Sequence, residues 1–395
     1  MTAIMNNLLY GTFIIYLLAA IAFVVVATDV KKRSKIWGNI AITLSIAGVV
    51  IHIAFMISRI VIGGHFPTSN MFEFIAFLCF ALVLAFIVIF AIYRTYVLGA
   101  FVMPFAVVLL AYAAVFPRDV QPLIPALQSH WLYIHVTTAA LGQGAFAVSF
   151  VAGLIYLIYK VGNGEKSSHG KYLETTLVII VMMLGFSIAS LFFQAIGYKA
   201  SFTHEIDGNQ VVEEYQLPPI VAPHESKAVT VESFLGFKDP LLEVPAWMKG
   251  ENAASKFNSV IWGIVVGLVL YAIYLLIVRK NLYQLLYPLV KKLDPELLDE
   301  ISYRGVAIGY PLFTLGALIF AMIWANEAWG RPWGWDPKET WAFITWMFYS
   351  AYLHLRLSRG WVGMKSSWLA VGGFVIIMLN LIVINLVISG LHSYA

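Results

Sequence analysis

The chain has 395 residues, 61% of them hydrophobic and 12% charged, with a formal net charge of +4. Long apolar runs can cross a hydrocarbon core of about 30 Å, which takes ~20 helical residues, so a water-soluble globular fold is excluded. The expectation is an all-α polytopic membrane protein whose positive excess anchors one membrane face, which leaves a nucleic-acid partner unnecessary.

The first apolar run, roughly 8–28, has no basic residue before it and the cluster Lys31, Lys32, Arg33 and Lys35 after it. It reads as a retained anchor with its N-terminus outside, not as a removable signal peptide. Further spans are expected at roughly 37–58, 71–93, 97–116, 131–159, 174–198, 258–278, 305–324, 339–355 and 367–389, giving about ten transmembrane helices in a single integral membrane domain over 1–395. With the N-terminus outside, 16 of the 25 basic residues fall on inner segments. Five of the other nine lie in one long loop, where the positive-inside rule has little force. Both termini and the segment 325–338 are therefore expected on the outer face.

The long loop, 199–257, is acidic and carries the apolar stretches Glu232 to Phe237 and Leu241 to Trp247. It reads either as a small lid or docking element or as a solvated connector. The inner segment Asn281 to Tyr303 reads as an amphipathic helix along the membrane, followed by a turn at Asp294-Pro295 that caps a second helix.

The only cysteine, Cys79, falls inside the third span. The chain therefore has no disulfide framework and no Cys-x-x-Cys-His haem-attachment motif, and Cys79 reads as a small packing residue.

Trp324 to Trp341, WANEAWGRPWGWDPKETW, concentrates five tryptophans, an aspartate and a Lys-Glu pair between two apolar runs. Indole faces offer large stacking area and each indole N–H seeks an acceptor, while Pro332, Pro337, Gly330 and Gly334 break a regular helix. Such a surface suits a flat, largely apolar ligand with a polar edge, and haem has that character. An interfacial aromatic belt is the plainer alternative.

With no cysteine available, histidines are the candidate iron ligands. His135 lies one turn inside the outer end of the fifth span and His392 just beyond the outer end of the tenth, both on the side of the tryptophan segment. Two imidazoles converging from different helices are a common way to hold haem iron. Each could equally be a solvated interfacial histidine. His354 lies 16 residues beyond Lys338, ~24 Å down the ninth span, in the inner half of the membrane. An intramembrane histidine marks a functional site unless it snorkels to the surface beside Arg356 and Arg359. His52 and His65 are secondary candidates, with helix packing or a turn contact as the alternative.

WGRPWGWDPKETWAF resembles the tryptophan-rich signature of haem-handling proteins of cytochrome c maturation. GGHFPTSNMFEF, IPALQSHWLYIHV and the terminal GLHSYA resemble one branch of them, the CcsA/ResC family of the system II cytochrome c synthase. The resemblance runs from about residue 60 to the C-terminus. It implies that Trp329, Gly330, Trp333, Trp335 and Asp336 form an outer haem platform with His135 and His392 as axial ligands. It also implies that His354 belongs to an inner haem site completed by a CcsB/ResB-type membrane partner. The ligand implied is non-covalent haem b, delivered to the Cys-x-x-Cys-His segment of an apocytochrome c. Arg331-Pro332 stands where relatives vary, and no role is inferred for it. A haem exporter or chaperone without attachment activity, or a b-type electron-transfer protein, are the alternatives.

Overall fold

A computed structural model describes residues 2–28, 34–114, 116, 118–120, 123, 127–165, 167–206, 209–236, 239–246, 248 and 252–381. Twelve α-helices are seen among them: α1 (Thr2–Thr28), α2 (Ser34–Gly63), α3 (Met71–Tyr93), α4 (Tyr96–Ala113), α5 (His130–Gly162), α6 (Gly170–Ile196), α7 (Ala253–Val278), α8 (Leu282–Val290), α9 (Pro295–Phe313), α10 (Ala321–Trp329), α11 (Pro337–Arg359) and α12 (Met364–Leu379). Among the described residues, eight helices are long and apolar enough to cross a membrane: α1 to α7 and the continuous run Pro295–Trp329. The chain is a multi-pass helical membrane protein. The ninth and tenth expected spans coincide with α11, whose apolarity is diluted by Lys338, Glu339, Arg356 and Arg359, and with α12, which is described only through its 16 residues.

Helix α5 is the axis of the bundle, buried along nearly its whole length and packed by α3, α8, α9, α10 and α12. In a bilayer, helices associate through close packing more than through the hydrophobic effect, which favours small residues at contacts. The α5–α9 seam follows that rule. A Cβ on Gly142 would lie 2.7 Å from the Phe313 backbone nitrogen, and one on Gly309 would lie 2.8 Å from the Gly142 oxygen. Lower down, Ser302 donates to the Ser149 carbonyl at 3.0 Å, so the seam also carries a hydrogen bond between helices.

Pro311 lies near the end of α9 and lacks the N–H that a regular helix would use. Just beyond it, Thr314–Phe320 widen into a π-helical turn before α10 resumes the same run. Such turns are local perturbations of an α-helix that recur at functional sites. Sequence periodicity suggested that the helix capped at Asp294 and the span at 305–324 were separate elements; they form one run with this turn inside it.

The stretch between α6 and α7 is neither a bare connector nor a helix. β1 (Ala200–Ile206) and β2 (Asn209–Tyr215) form a hairpin, β4 (Lys227–Val231) pairs on the other side of β1, and β3 (Val221–Ala222) lies parallel to β5 (Leu242–Glu243). The module is pinned to α7 by Asn258, which accepts from the Ile220 and Val221 amides and donates to the Pro218 carbonyl. Trp262 donates to the same carbonyl at 2.8 Å. Its apolar core, Tyr198, Phe202, Tyr215 and Val221, continues into Phe193 of α6.

Candidate functional site

At the end of the bundle where α3, α5 and α11 begin, a half-open cavity of about 210 Å³ is lined by residues of all three helices together with α12 and the π turn. His135 lines it from the second turn of α5. Its Nδ1 lies 3.3 Å from the Gly316 carbonyl oxygen, inside the π turn. A carbonyl only accepts, so this hydrogen bond requires the proton on Nδ1 and puts the lone pair of a neutral imidazole on Nε2. One protein contact thus fixes both ring orientation and tautomer, as for histidines that ligate metals. Gly316 is obligatory here because a Cβ at that position would collide with the Ala139 backbone of α5.

The indole of Trp324 stacks on the His135 ring, with centroids 5.4 Å apart and planes inclined by 13°. Trp329 meets Trp324 edge-on at 4.8 Å. Trp324 is almost fully buried and also lines the cavity. Sequence reasoning missed its part in the site: it stood at the head of the tryptophan segment, but nothing in the sequence distinguished a buried tryptophan from exposed ones.

Beyond Trp329 the chain turns at Gly330, whose φ of 69° ends α10 in the left-handed conformation that glycine adopts without penalty. Trp335 adopts a similar conformation, φ 56°, as a bulky residue, and its side chain is held largely exposed. Left-handed backbone at such a residue is strained by about 1–3 kcal/mol and persists only where neighbours fix it. The fixing contacts follow directly. Asp336 caps α11 by accepting from the Lys338 amide, and Glu339 reciprocates by accepting from the Asp336 amide and, at 2.7 Å, from the Gly334 amide. Pro337 occupies the first helical position, where its missing N–H costs nothing.

The tryptophans therefore divide into two groups. Trp329 belongs with Trp324 and His135. Trp333 and Trp335 meet each other at 5.8 Å and both contact Phe343, which stacks on Trp346, which stacks on Tyr310. This second group lines one flank of α11 and does not line the cavity. Trp346 is anchored by its Nε1–H donating to Thr314 in the π turn.

The remaining histidines separate clearly. His354 lies near the other end of α11 and is exposed, on the flank that also carries Phe343 and Ser350. Two residues further, Arg356 makes a two-pronged contact with Asp299 of α9 at 2.8 and 2.9 Å, and Asp299 also accepts from Ser366 and the Gly363 amide. That junction fixes α9, α11 and the start of α12 around the His354 turn. His52 is buried with Nδ1 3.4 Å from the Tyr16 hydroxyl, among Phe55 and Phe80, and has a packing place. His65 makes a turn contact with the Phe66 carbonyl. Cys79 is buried and donates to the Ala106 carbonyl. His392 lies outside the described residues, and among those described no three His, Cys, Asp or Glu side chains cluster as a metal site.

The part of the wall that precedes α3 is set by a buried ion pair. Arg59 of α2 meets Glu73 of α3 at 2.6 Å, and both side chains are essentially inaccessible. Arg59 also donates to the carbonyls of Arg118 and Asp119, and Glu73 accepts from the amide and hydroxyl of Ser69. The pair thus holds Thr68 to Asn70 in place as cavity wall.

The family described as "Cytochrome C assembly protein" matches residues 68–197 and 261–392, the two helical blocks that flank the strand module. "Cytochrome c biogenesis protein CcsA" of Trichormus variabilis is 31% identical over 347 residues, covering 85% of this chain and 83% of that protein. The protein of the same description from Rippkaea orientalis is 31% identical over 365 residues, covering 89% and 88%. That from Gloeobacter violaceus is 30% identical over 334 residues, covering 84% and 78%. A tryptophan-rich segment between α10 and α11, a tautomer-fixed histidine beside it and this extent of similarity point the same way: the chain belongs to the cytochrome c assembly protein family, among its CcsA members.

Proposed function

We propose that the chain binds haem b without a covalent bond and presents it on the outer membrane face for thioether attachment to an apocytochrome c. As a family member the protein serves cytochrome c maturation, and haem is its cargo. The observation that supports the reading is His135, with its proton held on Nδ1 by Gly316 and its ring braced by Trp324, because in that tautomer the lone pair a metal would take is on Nε2. His392 is the second axial ligand in this reading. Trp329, Trp333 and Trp335 supply stacking surface, while Gly330 and Asp336 set the turns that display it.

In the attachment step each cysteine S–H adds across a haem vinyl group. Sulfur bonds to the inner vinyl carbon, the proton goes to the outer one, and no net oxidation occurs. The chain contributes positioning to this step, holding the macrocycle while the Cys-x-x-Cys-His segment approaches. His354 belongs to an inner site in the same reading. Its exposure on the flank of α11 suits a ligand set completed by another chain, a CcsB/ResB-type membrane partner. Both termini, the strand module and segment 325–338 then face outward.

The test is the reduced absorption spectrum of the protein purified with its partner, beside the His135→Ala variant. A low-spin bis-histidine spectrum that turns high-spin or vanishes in the variant supports the outer ligand; identical spectra overturn it. Covalent haem on a coexpressed apocytochrome c separates a synthase from an exporter or chaperone that delivers haem without attaching it.

A further inference from the structure

Two groups of one helical run hold the His135 ring, and both depend on the π turn. From α9 through α10 a single face meets α5: Gly305 lies against Ala145, Gly309 against Gly142, Gly316 against Ala139, Phe320 against Trp131 and Trp324 against His135. Gly309 to Gly316 is a step of seven residues, close to two turns of an α-helix. Gly316 to Trp324 is a step of eight. At about 100° per residue, an unbroken α-helix would carry Trp324 about 80° past the face that meets α5. The π turn takes up the extra residue, because the Ala321 amide reaches back five residues to the Gly316 carbonyl. It thereby brings both Gly316 and Trp324 onto one imidazole.

A π turn is rare, so something must hold it against the α-helical register. The holding contacts come from α11. Thr314, the first residue of the turn, accepts from the Trp346 Nε1–H at 3.0 Å and donates to the Tyr310 carbonyl at 2.7 Å. Its hydroxyl thus joins α11 to the end of α9. Tyr310 stacks on the same Trp346 ring, with centroids 6.0 Å apart and planes inclined by 20°, and its hydroxyl meets Ser350 at 2.5 Å. On the α5 side, Gly316 allows the turn to seat closely against Ala139.

We propose that Thr314 and Trp346 are positioning residues for the iron ligand. Resting on the haem reading above, they keep the π turn in the register that places the Gly316 carbonyl and the Trp324 indole on His135. Neither residue lines the cavity that His135 lines. Without the Thr314 hydroxyl the Trp346 N–H loses its acceptor, the turn is released, and both contacts on the imidazole loosen together. Trp346 also stacks on Phe343, which touches Trp333 and Trp335. The exposed tryptophans and the iron ligand therefore share one frame.

The experiment titrates the full-length chain in neutral-lipid nanodiscs with haem b, reading affinity from the Soret band and spin state from the reduced spectrum. Thr314→Val removes the hydroxyl at nearly constant shape, and Thr314→Ser keeps it. Thr314→Val and Trp346→Phe should each weaken binding by about tenfold, the low end for groups that orient a metal ligand, and raise the high-spin fraction. Thr314→Ser should stay within about twofold of the wild type. Contiguity alone does not establish coupling, so the cycle is closed with His135→Ala. In that background Thr314→Val should change the remaining affinity by less than about twofold, whereas a merely destabilising substitution would act alike in both. An undiminished Thr314→Val penalty there, a Thr314→Ser protein as impaired as Thr314→Val, or a Thr314→Val protein that binds like the wild type overturns the positioning role and leaves the haem reading standing. A His135→Ala chain with wild-type affinity and spectrum overturns the haem reading and the positioning role with it.

Discussion

His135 and Trp324 lie ring on ring, 5.4 Å between centroids at 13°, although they are far apart in sequence and sit on different helices. The contact joins the candidate iron ligand to the tryptophan segment through a buried indole. Trp324→Ala should mainly unfold this corner, since truncating a buried tryptophan costs about 3–5 kcal/mol. Trp324→Phe is the informative variant, because it keeps much of the volume and narrows the stacking face. Haem retention through purification should fall severalfold, with α10 still helical, and unaltered retention would limit Trp324 to a packing role.

Trp335 carries two opposed effects that one substitution separates. Its left-handed backbone is strained, and its indole is 67% exposed. Trp335→Gly removes the strain, worth about 1–2 kcal/mol, together with the indole. The variant should be at least as stable to heat as the wild type and should bind haem more weakly. A merely structural belt residue would show the first effect without the second.

The membrane architecture was legible in the sequence because apolar length is a property of contiguous residues. Seven spans read from hydropathy correspond to α1 to α7. The strand module was not legible: its strands are short and stabilised by contacts with α6 and α7, such as Asn258 with Pro218. The π turn was equally hidden, since Pro311 announces a disturbance without saying that the carbonyl of Gly316, which also accepts from the Ala321 amide, would meet His135. Of the candidate site, residue type was enough to single out His135, Trp329, Trp333 and Trp335 as candidates. Trp324 and the Arg59–Glu73 pair were missed because their importance lies in burial and in partners from other helices.

Arg59 and Glu73 are the most thoroughly buried ion pair among the described residues. Removing one member leaves the other charged and unpaired, at a cost of about 3–5 kcal/mol. Glu73→Gln keeps an acceptor for Ser69 but discards the charge that Arg59 faces. It should lower the thermal midpoint of the purified protein markedly, whereas a double variant with Arg59→Met should recover part of the loss. If the single and double variants melt alike, an unpaired Arg59 charge is not what destabilises the single variant.

Glu213 gives the strand module a pH dependence of known sign. Burial raises its carboxyl above the ordinary carboxylate range, a tendency only partly offset by hydrogen bonds from Ser255 and by the nearby His204 and Lys256 charges. The unfolded chain would titrate near the usual glutamate value of about 4.3, so between that value and the raised one the folded state holds more protons. Stability from this group is complete below the unfolded value and is lost as pH rises through the folded one. The β1–β2 amides should accordingly exchange with deuterium more slowly at the acidic end of that window, after correction for intrinsic rates. Glu213→Gln keeps an oxygen to accept from the Ser255 amide, now 2.7 Å away, but cannot ionise. Its exchange should be flat across the same window; a variant that keeps the wild-type slope would assign the dependence to His204 or another group.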